Sequence, residues 1–425
     1  METTQDTKKH QVLILGGGTA GITVAAQLHR KDKDLDIAIM EPSEKHYYQP
    51  AWTLVGAGAY NLKDTEKDEK DFIPKNTTWI KSYAEKVDAD HNMVITRDGQ
   101  KIAYDYLIVA VGIQLDWNAT PGLKEGIGRN GICSNYSKDY AEYTFECIKN
   151  FKGGNALFTQ PATPVKCGGA PQKIMYLAED YFRKHGVRDK TNVIFATPGS
   201  VIFGVKEFAK TLNGIIHDRD IYLKLYHKLV EIRPDTKEAV YELSGAETGC
   251  VTIDDVEQKL RMKVEGETRV VIPFEMLHTA PPQSAPDFIK QSPLAVADSP
   301  LGWVDVDKYT LQHKKYPNVF ALGDVANLPT AKTGAAVRKQ APVVVQNLLT
   351  VMAHASINGN KQYDGYSSCP LVTKYGKMVL AEFDYDNKPS PSFPFDTTKE
   401  RYSMWLFKKH FLPWMYWNAM LKGTA

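Results

Sequence analysis

The sequence lacks the features that mark several common protein classes. Its 425 residues contain no run of about 18 apolar residues, so we expect no helix that spans a bilayer. Positive and negative side chains nearly cancel (52 Lys plus Arg, 50 Asp plus Glu), which gives no sign of a nucleic-acid-binding surface. The five cysteines never occur in C-x-x-C spacing, which argues against a disulfide scaffold and a structural zinc site. We therefore expect a globular protein of two or three domains with no metal site and no nucleic-acid partner.

The beginning of the chain carries a dinucleotide-binding pattern. An apolar strand over Val12–Leu15 is followed by Gly16, Gly18 and Gly21, which match G-x-G-x-x-G, and then by a helical pattern over Ile22–Leu28. Gly16 permits a tight turn, and the missing side chain at Gly18 lets the backbone approach a pyrophosphate. The strand begins so early that we expect no secretory signal peptide before it.

Two further features complete this nucleotide-binding unit. The amides of Thr19 and Ala20 open the helix and would point at the phosphate charge. A second strand, Asp36–Met40, ends at Glu41, which would accept a hydrogen bond from the adenosine ribose. With both strands, the helix and the acid in register, the segment is predicted to bind an adenine dinucleotide.

Two later segments favour FAD over NAD as that dinucleotide. The strand in YDYLIVAVGIQLDW (104–117) ends in a small-residue turn at Gly112, which would return the chain to the nucleotide. A later strand ends at Gly323 and Asp324 and leads into a helix that starts near Gly334. This arrangement resembles the second flavin-contacting motif of two-dinucleotide-domain flavoproteins. The resemblance implies that Asp324 holds a ribityl hydroxyl and that the amides of Gly334–Val337 point to the pyrimidine end of the isoalloxazine. A Gly-Asp pair by itself is better explained as a turn that ends a strand. Because this pair comes about 300 residues after the first motif and both segments would return to one site, it favours FAD.

The middle of the chain lacks the second glycine fingerprint that NAD(P)H-dependent enzymes of this architecture carry. Asn192–Thr197 reads as a buried strand, but Val201, Ile202 and Phe203 follow where a pyrophosphate needs bare backbone. We therefore expect that this domain does not bind NADH and that the electrons come from another donor.

Cys167 and Cys369 differ from the other cysteines in their surroundings. Both lie among glycine, proline or serine residues in predicted turns, where backbone amides stabilise a thiolate, and Cys167 also precedes a helix. Cys147, in an amphipathic pattern, is interpreted as a small buried hydrophobic residue, and Cys250 as a loop thiol. A thiolate pair could reduce a flavin in place of NADH, although only the tertiary fold could bring Cys167 and Cys369 together.

The residues resemble those of the sulfide:quinone oxidoreductases, especially the branch that includes the mitochondrial enzyme. The resemblance covers essentially the whole chain and is specific in EPSEKHYYQPAWTLVGAG (41–58), PVKCGGAPQKIMYL (164–177), GWVDVDKYTLQHKKYPNVFALGD (302–324), YDGYSSCPLV (363–372) and LAEFDY (380–385).

The resemblance implies that Cys167 and Cys369 are a redox pair, bridged at rest by a disulfide or by an additional sulfur. Hydrosulfide would attack the bridge at Cys369, leave a persulfide there and free the Cys167 thiolate. This thiolate would add to the flavin C4a, and the adduct would collapse to re-form the bridge and give reduced FAD. Ubiquinone or menaquinone would re-oxidise the flavin. A small nucleophile (sulfite, glutathione or sulfide itself) would carry off the sulfane sulfur.

The resemblance also adds Gln49 and Ala84 to the flavin contacts. The full predicted cofactor-binding set is then Gly16, Gly18, Thr19, Ala20, Gly21, Glu41, Gln49, Ala84, Gly112, Gly323, Asp324, Lys332, Gly334, Ala335, Ala336 and Val337. Lys332 would steady an anionic reduced flavin, or it is a solvated lysine. Cys133 lies about where some branches place a third cysteine, and we expect it to be non-essential.

The C-terminal tail TTKERYSMWLFKKHFLPWMYWNAMLKGTA is unusually aromatic. Its apolar residues lie beside Lys408 and Lys409, and Pro413 is expected to divide it into two short helices. Aromatic amphipathic helices flanked by lysine suit the headgroup layer of a membrane, where a lipid-dissolved quinone could reach the flavin. The alternative is a helix pair packed on the protein core.

These observations predict an α/β protein with two Rossmann-like domains and an amphipathic helical tail that faces a membrane. The FAD-binding domain would consist of residues 8–120 and 300–365. A second, degenerate domain with Cys167 would span residues 121–299, and a C-terminal region with Cys369 would span residues 366–425. The protein would be peripheral on a bacterial cytoplasmic membrane, or on the mitochondrial inner membrane if a transit peptide has been removed. The oligomeric state stays open, a homo-oligomer included.

Three other functions stay open at this point. A non-proton-pumping NADH:quinone oxidoreductase shares the flavin motifs, but the missing mid-chain glycines and the cysteine pair argue against it. The flavoprotein of a flavocytochrome c-type sulfide dehydrogenase would be exported, and no export signal is visible. A non-catalytic flavoprotein would keep its activity when both cysteines are replaced.

Overall fold

The computed structural model describes residues 7–244, 254–354, 356 and 361–425. Cys250 lies outside the described residues. The strands are β1 (Lys8–Leu15), β2 (Ile37–Met40), β3 (Lys45–Tyr47), β4 (Glu66–Asp68), β5 (Thr77–Ile80), β6 (Ala84–Asp88), β7 (Met93–Thr96), β8 (Lys101–Val109), β9 (Gln114–Leu115), β10 (Ile132–Cys133), β11 (Gly154–Thr159), β12 (Thr191–Ala196), β13 (Tyr222–Lys224), β14 (His227–Arg233), β15 (Glu238–Leu243), β16 (Lys263–Glu265), β17 (Arg269–Pro273), β18 (Met276–Thr279), β19 (Gln283–Ser284), β20 (Val319–Ala321), β21 (Ser367–Lys374) and β22 (Lys377–Phe383).

The helices are α1 (Thr19–Lys31), α2 (Trp52–Val55), α3 (Leu123–Gly126), α4 (Lys138–Asn150), α5 (Ala170–Lys184), α6 (Lys206–Asp218), α7 (Asp255–Lys259), α8 (Asp287–Lys290), α9 (Gly334–His354), α10 (Tyr402–Leu406) and α11 (Leu412–Asn418). A π-helix, Phe407–Phe411, connects α10 to α11.

The first sheet is built from strands that are distant in the sequence. Its order is β5-β2-β1-β8-β7-β6, and β20 pairs with the end of β8. The four strands β5, β2, β1 and β8 run parallel, as does β20, whose Val319 aligns with Leu107. β2, β20 and the second halves of β1 and β8 are continuously apolar because helices and loops cover both faces of the sheet there. The helices α1 and α9 pack against each other on one face of this sheet.

A second parallel sheet has the order β10-β18-β11-β12-β13, and its strands lie between residues 132 and 279. An antiparallel sheet, β14-β15-β17-β16, packs beside it through a separate apolar cluster. The hairpin of β21 and β22 contacts α5. The prediction of an α/β fold with two Rossmann-like sheets is confirmed by this arrangement.

The C-terminal tail differs from its prediction. Backbone from Tyr402 to Asn418 is helical without a break, so the expected division at Pro413 is wrong. Pro413 lacks an N–H, and its ring would clash with the carbonyl four residues earlier in a regular α-helix. The wider π-helix that directly precedes α11 leaves room for the Pro413 ring and does not require its missing N–H. None of the described helices is long and apolar enough to cross a membrane.

Candidate active site

The glycine loop between β1 and α1 is tight on its protein side and open on the other. Gly16 has φ +96°, and a side chain there would lie 2.6 Å from the carbonyl oxygen of Ala110. A side chain on Gly21 would collide with the carbonyl of Gly16, so this glycine lets the helix pack against the loop. The space beside Gly18 is empty to 4 Å. The loop therefore leaves room for a pyrophosphate at the start of α1, where Thr19 and Ala20 lie.

Glu41 braces this loop from the end of β2. Its Oε2 accepts the amide of Gly17 at 2.8 Å, and its Oε1 accepts the amide of Ser43 at 2.8 Å. Burial raises the pKa of Glu41, while these two amides oppose the shift. Each carboxylate oxygen can accept a second hydrogen bond, so a ribose hydroxyl is compatible with the geometry.

The second predicted motif also fits a dinucleotide. Gly323 and Asp324 form a short 3₁₀ turn after β20, and the amide of Gly323 donates to Gln340 Oε1 at 2.8 Å. The carboxylate of Asp324 has no hydrogen-bond partner among the described residues, and burial raises its pKa. A half-buried carboxylate in need of a donor suits a ligand hydroxyl. The space next to Gly112 and Gly334 is likewise empty.

Two of the four amides predicted to face the flavin from α9 already have partners. The amide of Ala336 donates to Thr333 Oγ1 at 3.1 Å, and that of Val337 donates to the Thr333 carbonyl at 3.2 Å. At an α-helix start only the first amides lack partners within the helix, so Gly334 and Ala335 keep theirs for a ligand.

Lys332 is not a solvated side chain, which removes one of the two predicted alternatives. Its Nζ donates to the carbonyls of Asp324 at 2.6 Å and Ala326 at 3.0 Å, and it lies 3.9 Å from the centre of the Trp303 ring. Burial lowers the pKa of Lys332 to about 8. The Lys332 ammonium therefore shapes the turn that carries Asp324, and its contact with a flavin stays a prediction.

Gln49 and Ala84 occupy different surroundings. Gln49 is exposed in a short 3₁₀ turn, and its Oε1 accepts a hydrogen bond from Lys166 Nζ. Ala84 begins β6, opposite Thr96 of β7, and is partly buried. Their roles as flavin contacts stay predictions.

The fold brings Cys167 and Cys369 into hydrogen-bond contact although they are distant in the sequence. Cys167 lies on the turn before α5 with φ +51°, and its amide donates to the Lys332 carbonyl at 2.8 Å. Cys369 is not in a turn, which corrects the prediction: it is buried within β21, opposite Ala381 of β22. The contact between α5 and β21 therefore assembles the pair.

The charges around the pair favour a thiolate on Cys167. The hydrogen bond from Cys369 and the charge of Lys173, whose Nζ lies 2.8 Å from Cys167 Sγ, hold the pKa of Cys167 well below its usual range. The same hydrogen bond, together with burial, raises the pKa of Cys369. In the reduced form one proton is thus shared, with Cys369 as the donor and Cys167 as the thiolate.

Two buried lysines near the pair are missed by sequence reasoning. Lys173 faces inward from the first turns of α5, and a lysine within the otherwise apolar segment PQKIMYL is the signal that could have revealed it. Lys408 is expected from the sequence to flank a membrane, but its side chain is only 3% exposed. Burial and the charge of Lys173 lower the pKa of Lys408 to about 7, while Cys167 and Cys369 oppose the shift. No local pattern separates Lys408 from Lys409.

Two further predicted features are a second pair of cysteines and the loop after β12. Cys133 is fully buried and in hydrogen-bond contact with Cys147, which is half-buried. The loop after β12 ends where α6 begins, at Lys206. It contains Val201, which is 55% exposed, at a place where a nucleotide-binding loop would have glycine.

Comparison with known proteins decides the family. Residues 10–144 match the pyridine nucleotide-disulphide oxidoreductase family. The chain is 50% identical to the mitochondrial sulfide:quinone oxidoreductase of Mus musculus over 414 residues, which are 97% of this chain and 87% of the relative. The chain belongs to the sulfide:quinone oxidoreductase family. The mitochondrial enzyme of Dictyostelium discoideum is 48% identical, with 97% of this chain and 86% of that relative covered.

A solved structure agrees with this family at the level of the fold. The sulfide:quinone oxidoreductase of Aquifex aeolicus superimposes with a TM-score of 0.78 over 98% of this chain and 92% of that one, at 20% identity. The dinucleotide loops and the cysteine pair of this sulfide:quinone oxidoreductase come from separate parts of one chain.

The tail of this sulfide:quinone oxidoreductase has two differently covered sides. Met404, Trp405, Tyr416 and Trp417 are buried in the apolar clusters of the protein, as the alternative interpretation required. Large apolar side chains on the other side are exposed: Tyr402 (58%), Leu406 (39%), Phe411 (46%) and Trp414 (56%). This second set forms an aromatic surface, which we call the exposed tail face.

Proposed function

We propose that this chain is an FAD-dependent sulfide:quinone oxidoreductase that oxidises hydrogen sulfide at Cys167 and Cys369. The observation that carries the proposal is the contact between the two cysteines, with a lysine on the sulfur of Cys167. The amide of Cys167 binds the carbonyl of Lys332, so the pair lies beside the start of α9, which would hold the flavin.

The residues around the pair support attack of hydrosulfide on a bridge between the cysteines. The sulfur of hydrosulfide bonds to Cys369 Sγ, the bond to Cys167 breaks, and Cys167 leaves as a thiolate while Cys369 becomes a persulfide. Lys173 favours this direction because it stabilises the leaving thiolate. Sulfite, glutathione or a second sulfide then removes the sulfane sulfur and leaves Cys369 as a thiol. The bridge re-forms when the two cysteines together lose two electrons, which bound FAD would accept.

FAD, when bound by the two dinucleotide motifs, supplies the two-electron acceptor that links the cysteine pair to a quinone. Gly16, Gly18, Thr19 and Glu41 would hold its adenosine diphosphate half, and Asp324 its ribityl chain. The amides of Gly334 and Ala335, at the positive end of α9, stabilise negative charge on whatever lies in front of them.

The protein would be peripheral on a quinone-containing membrane, and in the mitochondrion as the names of its relatives suggest. The exposed tail face supports this proposal because aromatic side chains favour the headgroup layer. Ubiquinone or menaquinone would reach the flavin from that side.

An anaerobic titration of the purified protein tests the function. We expect sulfide to bleach the flavin band near 450 nm, a soluble quinone to restore it, and NADH to have no effect. Cys167→Ser and Cys369→Ser should abolish the bleaching, whereas Cys147→Ser should preserve it. Bleaching by NADH but not by sulfide would favour an NADH:quinone oxidoreductase instead.

A further inference from the structure

A chain of buried polar side chains connects the C-terminal segment to the glycine loop. Glu69 Oε2 accepts a hydrogen bond from His46 Nδ1 at 2.8 Å, and His46 Nε2 lies 2.6 Å from the Tyr416 hydroxyl. That hydroxyl lies 2.8 Å from Thr19 Oγ1, although the two residues are 397 positions apart. Glu69, His46 and Tyr416 are all buried. None of them has a part in the sulfide chemistry described above.

The far end of this chain also meets the glycine loop. Glu69 Oε1 is buried without a hydrogen-bond partner in the described part of the chain, and it lies directly beside Gly17. Glu41, which binds the Gly17 amide, lies at the same point of the loop, because a side chain on Gly17 would also meet its Cβ and Cγ. The polar chain thus touches the loop at two adjacent places, Gly17 and Thr19.

Aromatic packing keeps the polar chain in position. The His46 ring lies 5.6 Å from the rings of Phe72 and Trp417, and the Tyr48 ring lies 4.7 Å from that of Tyr416. These apolar walls exclude water from the two hydrogen bonds of His46, which therefore lack a solvent competitor.

A second, independent contact ties the tail to α1. Gly423 has φ +68°, and a side chain there would lie 2.8 Å from the amide nitrogen of Gln27 and 2.9 Å from the carbonyl carbon of Ala26. The end of the tail therefore rests directly on the backbone of α1. Together with Tyr416, it contacts both the first residue and the middle of the helix.

We propose that Tyr416 is a positioning residue for the cofactor, and that the C-terminal segment 412–423 locks the first turn of the dinucleotide-binding helix. The Tyr416 hydroxyl holds the side chain of Thr19, while Thr23 Oγ1 donates to the Thr19 carbonyl at 2.7 Å. The amide of Thr19 then faces the open side of the loop in one orientation. This inference rests on the proposed use of FAD and concerns its retention, not the chemistry of sulfide.

Binding of FAD to the apoprotein tests this proposal through a readout other than activity. Tyr416→Phe removes the hydroxyl and keeps the ring, and we expect the dissociation constant for FAD, measured from its fluorescence, to rise about threefold to tenfold. Tyr402→Phe is the matched control, because this tail tyrosine is exposed, and it should leave the constant unchanged.

A double-mutant cycle separates positioning from general stabilisation. In a Thr19→Val background, Tyr416→Phe should produce no further rise in the dissociation constant, because the partner hydroxyl is absent. An unchanged constant in Tyr416→Phe, or an equal rise in both backgrounds, would overturn the proposal.

A change at the other contact gives a second test if Tyr416→Phe folds poorly. Gly423→Ala should weaken FAD binding by displacing the tail from α1. Gly266→Ala imposes the same backbone strain, at φ +74°, with nothing within 4 Å, and should have no effect. Equal binding by both variants would contradict the proposal. If the unmodified chain did not bind FAD, the proposed cofactor would be overturned as well. If Tyr416→Phe bound FAD with unchanged affinity while sulfide still bleached its flavin, only the role of Tyr416 would be overturned.

Discussion

At the scale of single residues, the site depends on how a few charges are buried. Cys167 adopts a left-handed backbone conformation that places its sulfur against Lys173. Its carbonyl accepts the amide of Ala170, so the strained residue also closes the turn before α5. The thiolate is therefore stabilised by a side chain of the helix that it precedes.

Removing this lysine should change the pH dependence of thiol reactivity. Because the pKa of Cys167 is held well below its usual range, the rate at which iodoacetamide alkylates the reduced protein should fall less between pH 8 and pH 6 than the rate for a free cysteine. In Lys173→Met the pKa of Cys167 should rise, so the rate should fall more steeply from pH 8 to pH 6, by up to about tenfold for each pKa unit. Lys184→Met, on the exposed side of the same helix, is the control. A flat profile in Lys173→Met would contradict this account.

Lys408 should lower the free energy of unfolding while it supports sulfide oxidation. Its pKa is lowered to about 7 in the fold, so between pH 7 and the unfolded value of about 10.4 the native state binds fewer protons than the unfolded chain. The destabilisation by Lys408 is therefore complete at or below pH 7 and fades as the pH rises. Lys408→Met should raise the free energy of unfolding at pH 7 by about 1–3 kcal/mol and lower sulfide oxidation about tenfold.

Denaturant unfolding at pH 7 and pH 10 measures this effect, and the difference between Lys408→Met and the unmodified protein should shrink at the higher pH. The neighbouring Lys409, which is partly exposed, provides the matched variant Lys409→Met with little change in either quantity. A destabilised Lys408→Met protein would show that the contacts of the lysine side chain outweigh the cost of burying its charge.

At the scale of elements, the tail has one surface that packs on the protein and one exposed aromatic surface, and a regular amphipathic α-helix would not place the same residues on them. The π-helix before α11 changes the angular positions of the residues that follow, so Tyr416 and Trp417 face the protein while Phe411 and Trp414 face outward. Lys408, within the π-helix, points into the molecule. One irregular turn therefore serves both the cysteine pair and the exposed tail face.

The exposed tail face should determine membrane binding. Phe411→Ser combined with Trp414→Ser should reduce binding to vesicles of phosphatidylcholine and anionic lipid about a hundredfold, because each aromatic side chain contributes about 1.5 kcal/mol when buried. Sulfide oxidation with a water-soluble quinone should change little. Val201→Ser, at an equally exposed site in the mid-chain loop, is the control for vesicle flotation. Equal flotation of all three proteins would argue against a membrane role for this face.

At the scale of the whole molecule, the cysteine pair joins parts of the chain that fold around different sheets. Cys167 lies between β11 and α5, and Cys369 lies in the hairpin of β21 and β22. A bridge between them would close a loop of about 200 residues, for which chain entropy predicts a stabilisation of about 5 kcal/mol.

The bridged protein should therefore unfold at a higher temperature than the reduced one. Calorimetry with and without a phosphine reductant measures the difference, which should vanish in Cys167→Ser and persist in Cys147→Ser. A reductant effect that survives in Cys167→Ser would place the labile bridge elsewhere, with Cys133 and Cys147 the nearest alternative.

Local backbone chemistry explains why the dinucleotide loop and the α/β class could be predicted from the sequence. Gly16 has a left-handed backbone, Gly18 leaves open space, and a side chain on Gly21 would collide with the carbonyl of Gly16, so the loop depends on residues that are adjacent in the sequence. The apolar ends of the strands follow from burial on both faces. The turn at Cys167 is also local, since it depends on two glycines and the helix that follows.

Only the tertiary structure decided how charges and polar groups meet. The burial of Lys408, the contact of Cys369 with Cys167, and the contact of Tyr416 with Thr19 depend on elements that are hundreds of positions apart. The local sequence around a lysine in an amphipathic tail is the same whether the lysine faces lipid headgroups or a thiolate. The difference arises from the neighbours that packing supplies, because pKa and hydrogen bonding respond to distance in space and not to order along the chain.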